Sequence, residues 1–150
     1  MKRLASGALL MALVAVLAAG CGGGGSKALS KEEYGSQLNK ICQDANADRK
    51  KAGTISSPAD VVKKGPKLLA AFDRLISRAE KLKPPDEIKT DTDKVLSEAK
   101  QLRDLVSQVI DAAKANDVAK VVQLGAEGDA LTKDLDALGT KLGAPACAQG

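Results

Sequence analysis

The chain has 150 residues, 44% of them hydrophobic and 28% charged, with a net charge of +4 and neither histidine nor tryptophan. Without histidine there are no Ser–His or Cys–His nucleophile pairs, no imidazole metal sites and no side chain that titrates near neutrality unaided. One phenylalanine and one tyrosine supply no platform for stacking bases, so we expect no nucleic-acid partner, no cofactor, no metal and no enzyme activity.

Residues 1–25 read MKRLASGALLMALVAVLAAGCGGGG. Lys2 and Arg3 precede an uncharged apolar run from Gly7 to Ala19. That run is short for a membrane span, which takes about 20 apolar residues, and its flanks are those of a removed export signal. Leu17-Ala18-Ala19-Gly20 leading into Cys21 resembles the lipobox of a bacterial lipoprotein signal peptide, whose enzymes lipidate the cysteine and cleave before it. The family pattern most often places leucine three residues before the cysteine. Here Ala18 holds that place and Leu17 stands one further back.

The resemblance implies a signal peptide over residues 1–20 and a diacylglyceryl group, with palmitate-type chains, on Cys21. It also implies a lipid anchor at the extracytoplasmic face of the cell membrane. An uncleaved anchor and a secretory signal cleaved without lipidation are the competing readings. No twin-arginine pair is present, which points to the general secretory route. Cleavage removes Lys2 and Arg3, so the mature charge falls by two from +4. The membrane link then rests on the lipid, and two acyl chains anchor stably where one does not.

With Cys21 assigned to the lipobox, Cys42 and Cys147 remain as an even pair in an exported chain. Exported domains sit in oxidising compartments, so a Cys42–Cys147 disulfide is expected, the alternative being two free thiols. A bridge over about 100 residues is worth up to roughly 4–5 kcal/mol by chain entropy.

Residues 21–29 form the lipidated cysteine and a glycine-rich tether, flexible by composition. The ordered domain is expected over 30–147, with 148–150 as a tail. Ser30-Lys31-Glu32-Glu33 is a capping box opening a helix with Tyr34, Leu38, Ile41 and Ala45 on one stripe, stopped by Gly53. Ser57-Pro58 opens a second helix with proline at its first position. Val61, Leu68, Leu75 and Leu82 form one row there, flanked by Phe72 and Ala79. Gly65-Pro66 interrupts this row, and an interior proline costs about 3 kcal/mol, so a kink or a split is expected.

Pro84-Pro85 ends that element. The third helix is expected from about Asp86 to Ala115, with Ile88, Val95, Leu102 and Val109 every seven residues. Asn116-Asp117 turns the chain into a fourth helix carrying Val121, Leu124, Leu131, Leu135, Leu138 and Leu142. An irregular tail from Ala144 carries Cys147. Four amphipathic stretches with short connections predict an all-α fold, an antiparallel four-helix bundle closed by one disulfide.

Few constellations suggest chemistry. Asp44, Asn46 and Asp48 match the start of a calcium loop, but Arg49 and Ile55 occupy places needing glycine and an acid; a solvated helix face is the expectation. Asp86, Glu87, Asp91 and Asp93 complement the dipole at a helix start, and Arg49-Lys50-Lys51 does so at a helix end. Gly125 and Gly128, each costing about 1 kcal/mol in a helix interior, suggest a close helix crossing or a shallow groove.

With Ser30-Lys31-Glu32-Glu33-Tyr34, Ile41-Cys42 and Cys147 in view, the chain resembles small exported lipoproteins of high-GC Gram-positive bacteria. These pair a Ser-Lys-Glu-rich helix start with one cysteine and place a second near the end. The resemblance implies no catalytic role. The expectation is a non-enzymatic, membrane-anchored binding or scaffold domain for an envelope component. The alternative is a module holding an apolar or amphipathic small ligand between its helices, with Gly65-Pro66 and the fourth-helix glycines at its mouth.

Overall fold

The computed structural model describes residues 28–148. The expected signal peptide, Cys21, most of the expected tether and residues 149–150 lie outside the described residues. Four α-helices follow one another: α1 (Lys31–Ala52), α2 (Pro58–Ala79), α3 (Lys89–Lys114) and α4 (Val118–Lys141). Single 3-10 turns stand at Asp86–Ile88 and Pro145–Ala148, and no strand occurs among the described residues.

The starts of α1, α2 and α4 are set by side chains that satisfy free backbone N–H groups, whereas α3 follows the 3-10 turn without a side-chain cap. Ser30 Oγ accepts from Glu33 N at 3.2 Å, and Glu33 Oε2 accepts from Ser30 N at 2.9 Å. Ser57 Oγ accepts from Asp60 N at 3.2 Å, ahead of Pro58. Asp117 Oδ1 accepts from Lys120 N at 2.9 Å and opens α4. Gly53, with φ of 81°, ends α1.

Two expectations need correction. Of the kink or split expected at Gly65-Pro66, the split does not occur, because α2 runs unbroken from Pro58 to Ala79. Pro66 and Val62 are both exposed, so the carbonyl that Pro66 cannot bond faces water instead of a dry interface. Gly65 is needed for a different reason: a Cβ there would lie 2.6 Å from Cγ1 of Ile110 on α3. The C-terminal segment is also not irregular. It forms the 3-10 turn Pro145–Ala148, which packs on both α4 and α1.

Neighbouring helices pack in sequence order, α1 on α2, α2 on α3 and α3 on α4. Each seam carries ion pairs. Asp48–Arg74 (2.8 Å) and Asp44–Arg78 (2.7 Å) join α1 to α2. Glu80–Lys100 (2.7 Å) and Asp73–Arg103 (2.9 Å) join α2 to α3, and Asp91–Lys141 (2.8 Å) joins α3 to α4. Exposed pairs of this kind contribute little stability each, so their use is in alignment.

The buried side chains gather in two clusters. One contains Tyr34, Leu38, Ala79, Ile88, Leu142 and Ala144. The other contains Val61, Ile110 and Ala113, with Leu69, Val106, Val109 and Val121 against them. The first draws on the beginnings of α1 and α3 and the ends of α2 and α4. The second draws on the opposite ends of α2, α3 and α4. The middle of the helices, where the heptad rows also place apolar residues, belongs fully to neither.

Candidate functional site

That middle region holds a partly open cavity of about 290 Å³. Leu68, Phe72 and Leu75 reach it from α2, Leu96, Ala99 and Leu102 from α3, Leu135 and Gly139 from α4, and Leu38 and Ala45 from α1. Leu68, Phe72, Leu75, Leu102 and Leu135 are only half-buried, although their rows are those of core positions. They lack partners on one side because α1 meets α4 largely through the C-terminal 3-10 turn.

Cys42 and Cys147 are joined by a disulfide, with their Cα atoms 5.0 Å apart, and both line the cavity. The bridge is therefore part of the wall as well as a staple between α1 and the C-terminal turn. Asn39 and Asn46 reinforce it. Ala146 N donates to Asn39 Oδ1 at 2.8 Å, and Asn46 Nδ2 donates to Ala146 O at 2.8 Å. The backbone is drawn close enough that a Cβ on Gly139 would lie 2.8 Å from the Cys147 Cβ. One on Gly35 would lie 2.5 Å from the Leu142 carbonyl oxygen.

Polar groups enter the cavity wall at four places: Asn46, Arg49, Thr132 and Asp136. Three have a partner. Asn46 donates to Ala146 as above, the Thr132 hydroxyl donates to Gly128 O at 2.9 Å, and Arg49 has an interaction partner of its own. Asp136 differs. Its Oδ1 is buried and accepts no hydrogen bond. A buried acceptor without a donor costs about 1–3 kcal/mol.

The other sequence candidates are taken up by local pairing. Asp44 and Asp48 lie on α1 and pair with Arg78 and Arg74. The Arg74 guanidinium, with Lys51, holds the Asp48 carboxyl below its usual range. Asn46 turns instead to the C-terminal turn. Asp91 pairs with Lys141 and Asp93 with Lys89, so the acidic residues near the start of α3 do not converge. Asp60 is held well below the carboxylate range by Lys64 and Ser56, as expected of an exposed helix-start network. No group of three or more potential metal ligands occurs among the described residues. No described helix is long and apolar enough to cross a membrane.

Gly125 and Gly128 do not mark the mouth. A Cβ on Gly125 would meet nothing within 4 Å, and one on Gly128 would make ordinary contact with Leu102 at 3.5 Å. Neither they nor Gly65 and Pro66 line the cavity. Close approach falls at Gly35, Gly65 and Gly139 instead. Sequence reasoning also missed Asp136. The available signal was its position one turn after Thr132 and beside Leu135, on the edge of the apolar row of α4. Comparison with protein-family models, with curated proteins and with solved structures found no match to this chain.

Proposed function

We propose that this chain is a non-enzymatic, membrane-anchored lipoprotein of the extracytoplasmic face. Its four helices form an antiparallel bundle that holds an apolar or amphipathic small molecule. The antiparallel arrangement is supported by the order of the ion pairs. Asp44 pairs with Arg78 and Asp48 with Arg74, so advance along α1 is retreat along α2. Glu80–Lys100 and Asp73–Arg103 run the same way between α2 and α3. The anchor on Cys21 and the signal peptide 1–20 rest on the lipobox resemblance.

The observation that carries the binding reading is the apolar cavity of about 290 Å³ between the two core clusters. Native interiors are close-packed with few voids larger than a water molecule. An apolar cavity of roughly 150 Å³ already takes up benzene, and small-molecule sites begin at roughly 300 Å³. The helices thus leave half-buried Phe72, Leu75 and Leu135 uncovered where an apolar guest fits. This favours the small-ligand reading over a purely scaffolding domain.

The test is an organic-solvent extract of the purified full chain, analysed by mass spectrometry beside an Ala45→Phe variant. Ala45 is half-buried on the α1 wall, so phenylalanine fills the cavity from its edge without entering the packed clusters. Wild type should yield a stoichiometric apolar compound that the folded variant lacks. An empty wild type, or equal yields from both, contradicts the reading.

A further inference from the structure

The cavity described above is apolar apart from its four polar wall residues, and their hydrogen-bond accounts are unequal. Arg49 has an interaction partner of its own. The Oδ1 of Asp136 is buried and accepts no hydrogen bond. The wall therefore has an unused acceptor in Asp136 Oδ1, while the Thr132 hydroxyl and one N–H of Asn46 are spent on backbone carbonyls. A buried acceptor left without a donor is costly, so the Oδ1 of the otherwise half-buried Asp136 is a place for a ligand's donor, and ordered polar groups in apolar sites are what orient a ligand.

We propose that the occupant is an apolar molecule whose single polar end is a protonated amine, seated against the Asp136 carboxylate with its hydrocarbon body among Phe72, Leu75, Leu102 and Leu135. This rests on the small-ligand reading and adds to it the class of head group. A carboxylate or phosphate head is disfavoured, because it would face Asp136 with like charge, and the Thr132 hydroxyl proton is already given to Gly128 O. A hydroxyl head donates one hydrogen bond without charge assistance, so it ranks between the two.

Three water-soluble probes with one cage body separate these cases: 1-aminoadamantane, 1-hydroxyadamantane and 1-adamantanecarboxylate. Binding is measured by titration calorimetry on the full chain in bilayer nanodiscs, with empty nanodiscs as the blank. The amine should bind at least about tenfold tighter than the carboxylate, the scale of one hydrogen bond to a charged group. In Asp136→Asn the amine should lose that advantage and approach the alcohol, while the helix content and thermal midpoint of the variant show whether it folds. The order of the three probes on wild type decides the matter even if the variant does not fold. Equal binding of all three, or preference for the carboxylate, overturns the amine assignment and leaves the cavity reading standing. Binding of none overturns both.

Discussion

Reducing the Cys42–Cys147 bridge tests how the fold is held, and the structure sets the size of the effect. The bridge spans 105 residues of sequence, for which loop-closure entropy gives about 4–5 kcal/mol as a ceiling. Native geometry offers some insurance, because Asn39 and Asn46 each hydrogen-bond Ala146 at 2.8 Å. Leu142 and Ala144 are also fully buried against Tyr34 and Leu38. These contacts keep the C-terminal turn on α1 without the bridge but leave the unfolded chain freer. We expect a loss of about 3 kcal/mol, a large part of the roughly 5–15 kcal/mol typical of a single domain. For a domain of this size that lowers the thermal midpoint by roughly 10–20 °C. The assay is circular dichroism on heating, with and without reductant, after thiol titration has shown that the bridge is open. A fully reduced protein that melts at the same temperature would refute this account.

Three further expectations follow from particular residues. Gly35→Ala should destabilise by about 1–3 kcal/mol, the range for overpacking, because its Cβ would meet the Leu142 carbonyl, which is backbone and has little room to yield. Gly125→Ala, with nothing within 4 Å, should stabilise by up to about 1 kcal/mol through helix propensity; denaturant midpoints that reverse this order contradict the assignment. Tyr34 is the only tyrosine, and burial pushes its phenol above 10.0, against a lowering by Thr92 and with a small further push from Asp93. Because the folded value is the higher one, its contribution is intact below the unfolded value and lost as pH rises through the folded one. Phenolate absorbance should thus appear only above pH 10 and together with loss of helix. Ionisation at or below 10 with the helices intact contradicts the burial.

The starts of α1, α2 and α4 were legible because each is written in adjacent residues. Ser30 with Glu33, Ser57 with Pro58 and Asp117 all cap where the local pattern places them. The disulfide was legible from cysteine parity once Cys21 was set aside for the lipobox resemblance. The cavity was not, because Leu68, Phe72, Leu75, Leu102 and Leu135 have the same heptad spacing as packed core residues. Periodicity tells which face of a helix is apolar and is silent on whether another helix covers it. The glycines mislead for the same reason. Propensity marked Gly125 and Gly128 as costly, whereas need arises at Gly35, Gly65 and Gly139, whose partners are 45 to 107 residues away in sequence or in a turn of the tail. Pro66 was read as a kink or a split by its chemistry alone, and its exposure on α2 removes most of the reason for a split.

The most direct measurement of the central claim is the intact mass of the full-length gene product extracted from membranes, recorded under native and then denaturing, non-reducing conditions. The account expects a denatured chain starting at Cys21, carrying a diacylglyceryl group and lacking two hydrogens for the Cys42–Cys147 bridge. It also expects a native mass larger by one small apolar molecule. A chain that retains residues 1–20, a bare Cys21, or identical native and denatured masses would contradict it.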